Sequence, residues 1–566
     1  MIAERAERAQ RTGARVVLDA IWAEGVEVIF GYPGGAIMPL YDALFGHRLR
    51  HVLVRHEAAA VFAAGGYARA SGKVGVCVAT SGPGATNFVT GILDAMMDSI
   101  PLVAITGQVS TALMGTDGFQ EADITAITHA ITKRNLVVRN ARELLPALRT
   151  AFRLARGPRP GPVLLDLPTD VLKTIVPEHS APIRSLDSRT LPRASPAAVT
   201  ATVELIRSAR QPVAIIGGGV RAADASAVYR RFCERVRLPH TATINGLGAA
   251  DPQDEHFLGM LGMHGWKAAN LAVAQADLIL AFGMRFDDRV TGPPNRFAPG
   301  AQIVHADIDS SEFGKIVRAD VCLHGDLRET LRELVAALDG QRIPTFDDWC
   351  ERVRALGGPL PRDRSQSGRL SATDAIGELF ERLAPDAIVA TDVGQHQMWA
   401  AQRARPAHPR NFLTSAGLGT MGFGLPAAIG AAFVPGGRPV VAIVGDGGFQ
   451  MSLAELATIR RYDLPVKIVL IDNRNLGMVR QWQQLFYDAR YSATNLSDNP
   501  EFCEIAHAYG IRAESVGVPE DLAGALKRLI AHPSAMLLHC ACYPEENVWP
   551  IVPAGQAMHE MMEAER

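Results

Sequence analysis

The sequence predicts an α/β protein built of three doubly wound domains, each a parallel sheet wrapped by helices. Three observations predict it. One local pattern, a short apolar run followed by a glycine-rich turn and an amphipathic helical stretch, occurs in each third of the chain. Two polar, proline-bearing stretches, about 176–196 and 340–370, separate the thirds. The length of 566 residues, with 48% hydrophobic and 20% charged residues, is that of three or four ordinary globular domains. The expected boundaries are 1–180, 195–340 and 370–550, with 551–566 as a tail.

In the first third the apolar run is Val74–Ala79, the turn is Ser81-Gly82-Pro83-Gly84, and a helical pattern continues through Met97. In the second, Val213–Ile216 leads into Gly217-Gly218-Gly219. In the third, Val440–Val444 leads into Gly445-Asp446-Gly447-Gly448. In doubly wound sheets ligands bind beyond the carboxyl ends of the strands, where these turns fall.

Composition excludes several classes. Lys+Arg 57 against Asp+Glu 59 gives a net charge of −2, without the basic excess of a dedicated nucleic-acid binder. The seven cysteines form no Cys-x-x-Cys pair and no zinc spacing, and read as thiols in a reducing, cytoplasmic compartment. The first twenty residues carry charges of both signs and no apolar core. Glu4 and Glu7 speak against a transit peptide. No membrane span is expected, since the most apolar stretch, Leu425–Val444, is cut by Pro435, Gly436, Gly437 and Arg438.

The strongest chemical signal lies in the third domain. A second apolar run, Val466–Ile471, ends in Asp472-Asn473-Arg474-Asn475, so Asn473 follows Asp446 by 27 positions at the end of the next strand. A β-α-β crossover makes such ends neighbours or separates them by one strand. A carboxylate and an amide oxygen are hard ligands that suit Mg²⁺, which takes its remaining ligands from phosphate and water. Glycines let the backbone approach a diphosphate, and a helix expected to start near Ser452 points its N–H groups at it. A capping Asp in an ordinary glycine turn explains Gly-Asp-Gly alone. With Asn473 at this spacing, a Mg²⁺-diphosphate site is the better reading.

Gly-Asp-Gly followed at this interval by Asn resembles the cofactor motif of thiamine-diphosphate (ThDP) dependent enzymes. Over nearly its whole length the chain resembles the catalytic large subunits of acetolactate synthase, also called acetohydroxyacid synthase. The resemblance is carried by Phe30–Gly35, Arg55-His56-Glu57, Ser81–Asn87, Gly115–Glu121, Arg285–Gly292 and Gly477–Trp482. It implies a pyrimidine-binding first domain, a central FAD-binding domain and a diphosphate-binding third domain. It implies that Glu57 is the catalytic carboxylate, hydrogen-bonded to the ThDP pyrimidine. Read alone, Glu57 is a first-turn carboxylate favoured by the helix dipole. Val393, Gly394, Gln395 and His396 match the loop around the diphosphate. Gly419 and Met421 match the segment supporting the bent cofactor, where a space-filling core Met is the plain reading. Gly445, Gly447, Gly448, Gly477 and Met478 complete the ThDP contacts, and Asp446, Asn473 and Asn475 the metal set.

Gly217–Gly219 alone is weak evidence for a dinucleotide, because the full Gly-x-Gly-x-x-Gly spacing is missing. The resemblance implies FAD, chiefly structural, held by Arg159, His264, Gly283, Arg285, Asp287, Asp307 and Asp326. It gives Arg289 the carboxylate of the second keto acid, a task suited to the guanidinium fork. It gives Trp482 the acceptor's alkyl end, with Phe119, Gln120 and Met478 completing the pocket. The implied reaction decarboxylates pyruvate and transfers the two-carbon unit to a second 2-keto acid. Pyruvate then yields 2-acetolactate and 2-ketobutyrate yields 2-aceto-2-hydroxybutyrate, in branched-chain amino-acid biosynthesis. The implied assembly is a homodimer or homotetramer with the site between subunits, and a small regulatory subunit.

Three positions depart from the family pattern. Thr169 stands where Lys is usual, Asp472 replaces the first Asn of an Asn-Asn pair, and Ser110 occupies a position that is Pro in plant members. Rival readings are another ThDP enzyme (an oxidase, a simple decarboxylase or glyoxylate carboligase), a flavin oxidoreductase, and a catalytically silent cofactor-binding protein. Arg289 with Trp482 speaks against the first. Only the glycine loops support the second, and retention of Glu57, Asp446 and Asn473 speaks against the third.

Overall fold

In a computed structural model, residues 10–177, 191–358 and 368–564 are described. The middles of both expected linkers, and the segment around Glu4 and Glu7, lie outside the described residues. Strands of the first domain are β1 (Gln10–Thr12), β2 (Val28–Gly31), β3 (Arg50–Leu53), β4 (Gly75–Ala79), β5 (Leu102–Gln108), β6 (Arg134–Val137), β7 (Pro162–Pro168) and β8 (Ile175–Pro177). The central domain has β9 (Pro212–Ile216), β10 (His240–Ala242), β11 (Phe257–Met260), β12 (Leu278–Phe282), β13 (Gln302–Asp307) and β14 (Val321–His324). The third has β15 (Ile388–Thr391), β16 (Phe412–Leu413), β17 (Val440–Gly445), β18 (Lys467–Asp472), β19 (Arg512–Val516) and β20 (Met536–Ala541).

Each domain forms one six-stranded parallel sheet. The orders are β3-β2-β4-β5-β7-β6, β11-β10-β9-β12-β13-β14 and β16-β15-β17-β18-β20-β19. The fold class expected from the sequence is thus the fold found. Numbered within its own sheet, the first order is 2-1-3-4-6-5, and the third is the same. The central order is 3-2-1-4-5-6, the dinucleotide-binding arrangement, with its reversal between β9 and β12. Interior strands are apolar throughout because helices cover both faces: β9, β12 and β17 are wholly buried. A separate antiparallel pair, β1 with β8, ties the two ends of the first domain together.

Within the expected second linker, helix Asp347–Ala355 packs on the central domain, burying Trp349, Cys350 and Val353. Trp349 Nε1 donates to Pro212 O at 3.0 Å. The tail also packs on the central domain, where Val552 N donates to Met263 O at 2.9 Å. Among the described residues no helix is long and apolar enough to cross a membrane.

The first and third domains meet through two small-residue helices, Glu57–Ser71 and Gly424–Ala432. Their backbones approach so closely that a Cβ on Gly430 would stand 1.9 Å from Ala63 O. Arg55 N and His56 N donate to Glu455 Oε1 across the same junction, at 2.8 and 3.1 Å.

Candidate active site

Strands β17 and β18 are direct neighbours, with Gly445 opposite Ile471. Asp446 and Asn473 therefore emerge side by side, 2% and 6% exposed. The helix of the motif starts at Asp446 and ends at Ser452, a correction to the expected start near Ser452. Gly445, extended at φ −91°, ψ 158°, ends the strand and lets the helix begin at once. Burial, and then the Asp472 charge, push Asp446 up to about 7. Asn499 Nδ2 bridges the two carboxylates, at 2.9 Å to Asp446 Oδ2 and 3.2 Å to Asp472 Oδ1. A bound cation would relieve this crowding. Asn473 Nδ2 donates to Gln395 Oε1 at 3.0 Å, which turns Asn473 Oδ1 away from that partner. Asn475 lies beside it, its Nδ2 donating to Asn473 O at 2.9 Å. Among the described residues no group of three His, Cys, Asp or Glu is placed to hold a metal, and the expected set relies on carboxamides instead. One carboxylate with neighbouring amide oxygens fits Mg²⁺ shared with phosphate.

His396 fits the same reading. It is 6% exposed, burial pushes it down to about 3, and its buried Nε2 has no hydrogen-bond partner among the described residues. It lies against the turn, since a Cβ on Gly445 would stand 2.8 Å from its ring. An orphaned imidazole nitrogen beside the glycine turn is a donor or acceptor suited to a diphosphate oxygen. Gln395 is itself fixed, its Nε2 donating to Gln481 Oε1 and to Glu546 O, both at 2.9 Å.

A cavity of about 840 Å³ runs between the three domains. All seven expected FAD residues, Arg159, His264, Gly283, Arg285, Asp287, Asp307 and Asp326, line it. It opens at the strand-order reversal, where Gly217 and Gly283 face each other. A Cβ on Gly217 would stand 2.1 Å from Gly283 O, so no side chain fits there. His264 Nδ1 donates to Pro550 O at 3.1 Å, which leaves Nε2 as the acceptor. Arg159 is held by Asp309 and Glu312, at 2.9 and 2.6 Å. These residues fit a dinucleotide.

The other end of the cavity holds Val393, Gly394, Gly419, Met421, Met478, Arg289 and Trp482. The Arg289 guanidinium carbon lies 6.0 Å from the Trp482 ring centre. Trp482 packs edge-on against Phe486, and its buried Nε1 has no hydrogen-bond partner among the described residues. Met421 lies beside the glycine turn, 3.4 Å from where a Gly447 Cβ would stand. Glu57 opens its helix as expected and accepts from Asn87 Nδ2 at 2.9 Å, but does not line this cavity. Nor do Phe119 and Gln120, which stand exposed on a loop of the first domain. One chain therefore brings Asp446, Asn473 and His396 together at neighbouring strand ends, and gathers the seven expected FAD residues with Arg289 and Trp482 around the cavity. It leaves Glu57, Phe119 and Gln120 apart from them.

Comparison with known proteins agrees with this layout. Models of the thiamine pyrophosphate enzymes match all three domains: the N-terminal TPP binding domain at residues 11–127, the central domain at 199–334 and the C-terminal TPP binding domain at 392–540. The acetolactate synthase isozyme 2 large subunit of Escherichia coli K12 is 46% identical over 552 residues, covering 97% of this chain and 99% of that one. A probable acetolactate synthase large subunit of Methanocaldococcus jannaschii is 44% identical, covering 96% and 94%. An acetolactate synthase of Mycobacterium bovis is 45% identical, covering 98% and 92%. The chain belongs to the acetolactate synthase family of thiamine pyrophosphate enzymes.

Two features of this acetolactate synthase family member escaped the sequence reading. Asp392, fully buried at the end of β15, accepts from Val393 N at 2.7 Å and from Gly422 N at 2.9 Å. It thereby joins the Val393-Gly394 turn, which leads into the helix Gln395–Arg403 bearing His396, to the loop of Met421; the expected loop is helical from Gln395. Burial pushes it up to about 6 against those donors. Its signal was an Asp directly after an apolar strand, ahead of Val393. The second feature is a buried knot of Arg69, Asp94 and Asp98. Arg69 Nη2 donates to both carboxylates, at 2.9 and 3.0 Å. Asp98 also accepts from Ala416 N at 3.1 Å, Gly417 N at 2.9 Å and Asn245 Nδ2 at 2.9 Å, so three domains share it. Burial opposes both charges. At Asp98 the Arg69 charge and the Ala416 N–H outweigh it and hold the group below its ordinary range, whereas at Asp94 burial prevails. No local motif announces three partners so distant in sequence.

The departures also find a place. Thr169 opens helix Thr169–Lys173, and its neighbour Asp170 accepts from Thr111 N at 3.0 Å and from Thr111 Oγ1. That pins the start of the loop bearing Phe119. Asp472 takes His539 Nε2 at 2.9 Å, a partner that an Asn would hold less strongly.

Proposed function

We propose that the chain is the catalytic large subunit of an acetolactate synthase, using ThDP, Mg²⁺ and FAD. It would act on pyruvate with pyruvate or 2-ketobutyrate as acceptor, in branched-chain amino-acid biosynthesis. The observation that carries the reading is the cavity end shared by Arg289, Trp482, Met478 and Met421, with Met421 reaching the glycine turn of the motif at Gly447.

Bound ThDP would supply the electron sink that makes decarboxylation of a 2-keto acid possible. The chain's own residues do the rest. Asp446, Asn473 and Asn475 would hold Mg²⁺ and, with His396, the diphosphate. Met421, on a loop suspended from Asp392 and Asp98, would support the cofactor's bend. Glu57 would hold a proton on the pyrimidine ring from a site where water is excluded. Arg289 would grip the acceptor's carboxylate through two parallel N–H groups. Trp482 would measure its alkyl end, where one methylene is worth about 1–3 kcal/mol. Arg159, His264, Gly283, Arg285, Asp287, Asp307 and Asp326 would hold FAD.

The separation of Glu57, Phe119 and Gln120 from this cavity supports a site completed by a second copy of the chain. So do exposed apolar side chains: Met451 at 64% and Val479 at 50% on helices of the third domain, and Phe119 at 89% on a loop of the first. The homologues named as large subunits support a small regulatory partner. Cytoplasmic placement accords with seven free cysteines among the described residues.

The test is to incubate the purified chain with ThDP, Mg²⁺, FAD and pyruvate, with and without 2-ketobutyrate, and to identify products by mass. Acetolactate from pyruvate, with acetohydroxybutyrate dominating the mixed reaction, is the expected result. Acetaldehyde or acetate without an acetohydroxyacid would refute it.

A further inference from the structure

Among the arginines that line the central cavity, three neighbours come one from each domain: Arg69, Arg221 and Arg410. Their circumstances differ. Arg69 is paired with Asp94 and Asp98. Arg410 donates at 3.4 Å to the backbone oxygens of Arg69 and Arg221. Arg221 is only 6% exposed, and among the described residues no carboxylate, carbonyl or hydroxyl accepts a hydrogen bond from its guanidinium. Burial, with Arg69 next and Arg410 adding to it, pushes it down to about 10, although Asp98 acts in the opposite sense. A buried, unpaired charge is unfavourable unless something brings the counter-charge.

The position of Arg221 indicates what brings it. It sits on the short helix Gly218–Ala222, two residues beyond Gly219, immediately after β9 at the reversal of strand order. That is where a 3-2-1-4-5-6 sheet carries the phosphates of a dinucleotide. A guanidinium presents parallel donors that match phosphate oxygens. We propose that Arg221, backed by Arg410, is a phosphate-binding residue of this cavity, supplying a counter-charge to the dinucleotide. The proposal rests on the reading that the cavity takes FAD. A different role is open to Arg221, as a structural counter-ion to the two carboxylates that share Arg69. The two roles predict opposite effects on the protein without flavin. Removing a ligand-seeking charge relieves the empty cavity, whereas removing a counter-ion destabilises it.

The experiment uses the full chain, freed of flavin, with ThDP and Mg²⁺ present to fill the other phosphate site. FAD and riboflavin affinities are measured by flavin fluorescence for wild type, Arg221→Met and Arg221→Lys, and melting temperatures are recorded without flavin. The expected result is an FAD Kd at least tenfold higher in Arg221→Met, partly restored by Arg221→Lys. Riboflavin, which lacks phosphate, binds all three alike, and the flavin-free melting temperature of Arg221→Met is unchanged or higher. An FAD Kd within twofold of wild type would overturn the proposal. So would a lower flavin-free melting temperature with FAD and riboflavin weakened alike. Should wild type bind no FAD, inorganic pyrophosphate serves as the probe. A melting shift by pyrophosphate that Arg221→Met abolishes keeps the phosphate site while the flavin reading falls. No such shift in wild type overturns both.

Discussion

Gly430→Ala tests how the first and third domains are held together. A Cβ at Gly430 would meet Ala63 O at 1.9 Å, Ala63 C at 2.7 Å and Tyr67 N at 2.9 Å, all backbone atoms of the facing helix. An ordinary C···O contact needs about 3.3 Å, so the helices must part by about 1.4 Å. Bonds spanning the same junction cannot absorb that. Ala416 N and Gly417 N lie 3.1 and 2.9 Å from the Asp98 carboxylate, and Leu53 N lies 2.7 Å from Tyr462 Oη. Overpacking costs about 1–3 kcal/mol, and each lost bond to a buried carboxylate about 1.5–3 kcal/mol. Against this, Ala gains about 1 kcal/mol of helix propensity over Gly. The loss wins by about 3 kcal/mol, a fall in melting temperature of roughly 6 °C or more for a unit of this size. Gly524→Ala is the control. It too lies within a helix, but its Cβ would meet only the far end of Arg528's side chain, at 3.2 Å. Thermal melts of both variants decide the matter. If Gly430→Ala behaves like Gly524→Ala, the close helix crossing is not what joins the domains.

Asp446→Ala removes the single carboxylate of the expected metal set and should lower activity at least a hundredfold, with ThDP affinity, read by titration at fixed Mg²⁺, weakening in parallel. Trp482→Leu should cut the preference for 2-ketobutyrate over pyruvate by about ten- to two-hundred-fold while leaving acetolactate formation from pyruvate alone; product ratios from mixed substrates measure it. Asp392→Ala leaves Val393 N and Gly422 N without their acceptor and should destabilise by about 2–5 kcal/mol, with ThDP affinity falling as well. His256 is raised to about 9, first by its hydrogen bond to Asp254. Its folded value lies above the unfolded one near 6.5, so the stabilisation is full below about pH 6.5 and is lost as pH rises towards 9. The ring is only partly buried, so screening limits the effect to about 1 kcal/mol. His256→Asn should lower the melting temperature at pH 6 and scarcely change it at pH 10.

The parts of the fold legible in the sequence were those with local causes. Short β-branched runs ending in glycine turns marked β4, β9 and β17, and Asp446 with Asn473 marked two neighbouring strand ends. Strand order was not legible, because it depends on pairings between residues far apart. The likeness of the first and third sheets, and the different order of the central one, emerge only from the assembled structure. The helix of the motif was misplaced because Gly-Asp-Gly-Gly reads as a loop by propensity. Tertiary packing makes it helical from Asp446, with Phe449 and Ser452 buried. In the expected second linker, Gly357, Gly358 and nearby prolines outweighed the one apolar stripe of Trp349, Cys350 and Val353. Asp392 and the Arg69 knot were illegible for a further reason. A buried carboxylate looks like any other Asp until its donors are known, and those of Asp98 come from residues as distant as Gly417.

The placement of charge accords with the proposal that this chain works with bound ligands and a second copy of itself. The third domain crowds Asp446 against Asp472, and the central domain buries Arg221 without an acceptor among the described residues. Each is unfavourable alone, and each would be relieved by charge of the opposite sign, the proposed divalent cation at one and the proposed phosphate at the other. Both groups lie at the carboxyl ends of strands, and the Arg69 knot fixes the three-domain junction through the guanidinium, backbone donors and the Asn245 and Ser415 side chains. Order in the Gly417–Gly422 loop is therefore set by the folded chain before any ligand arrives, through Asp98 at one end and Asp392 at the other. Met421 is carried by that loop, whereas Glu57 is held by Asn87 on a separate surface of the first domain. A reaction that needs Glu57 and Met421 on one cofactor must bring the two surfaces together. In the proposed assembly, rigid scaffolds within each chain and an interface between two copies would satisfy that requirement without strain in either.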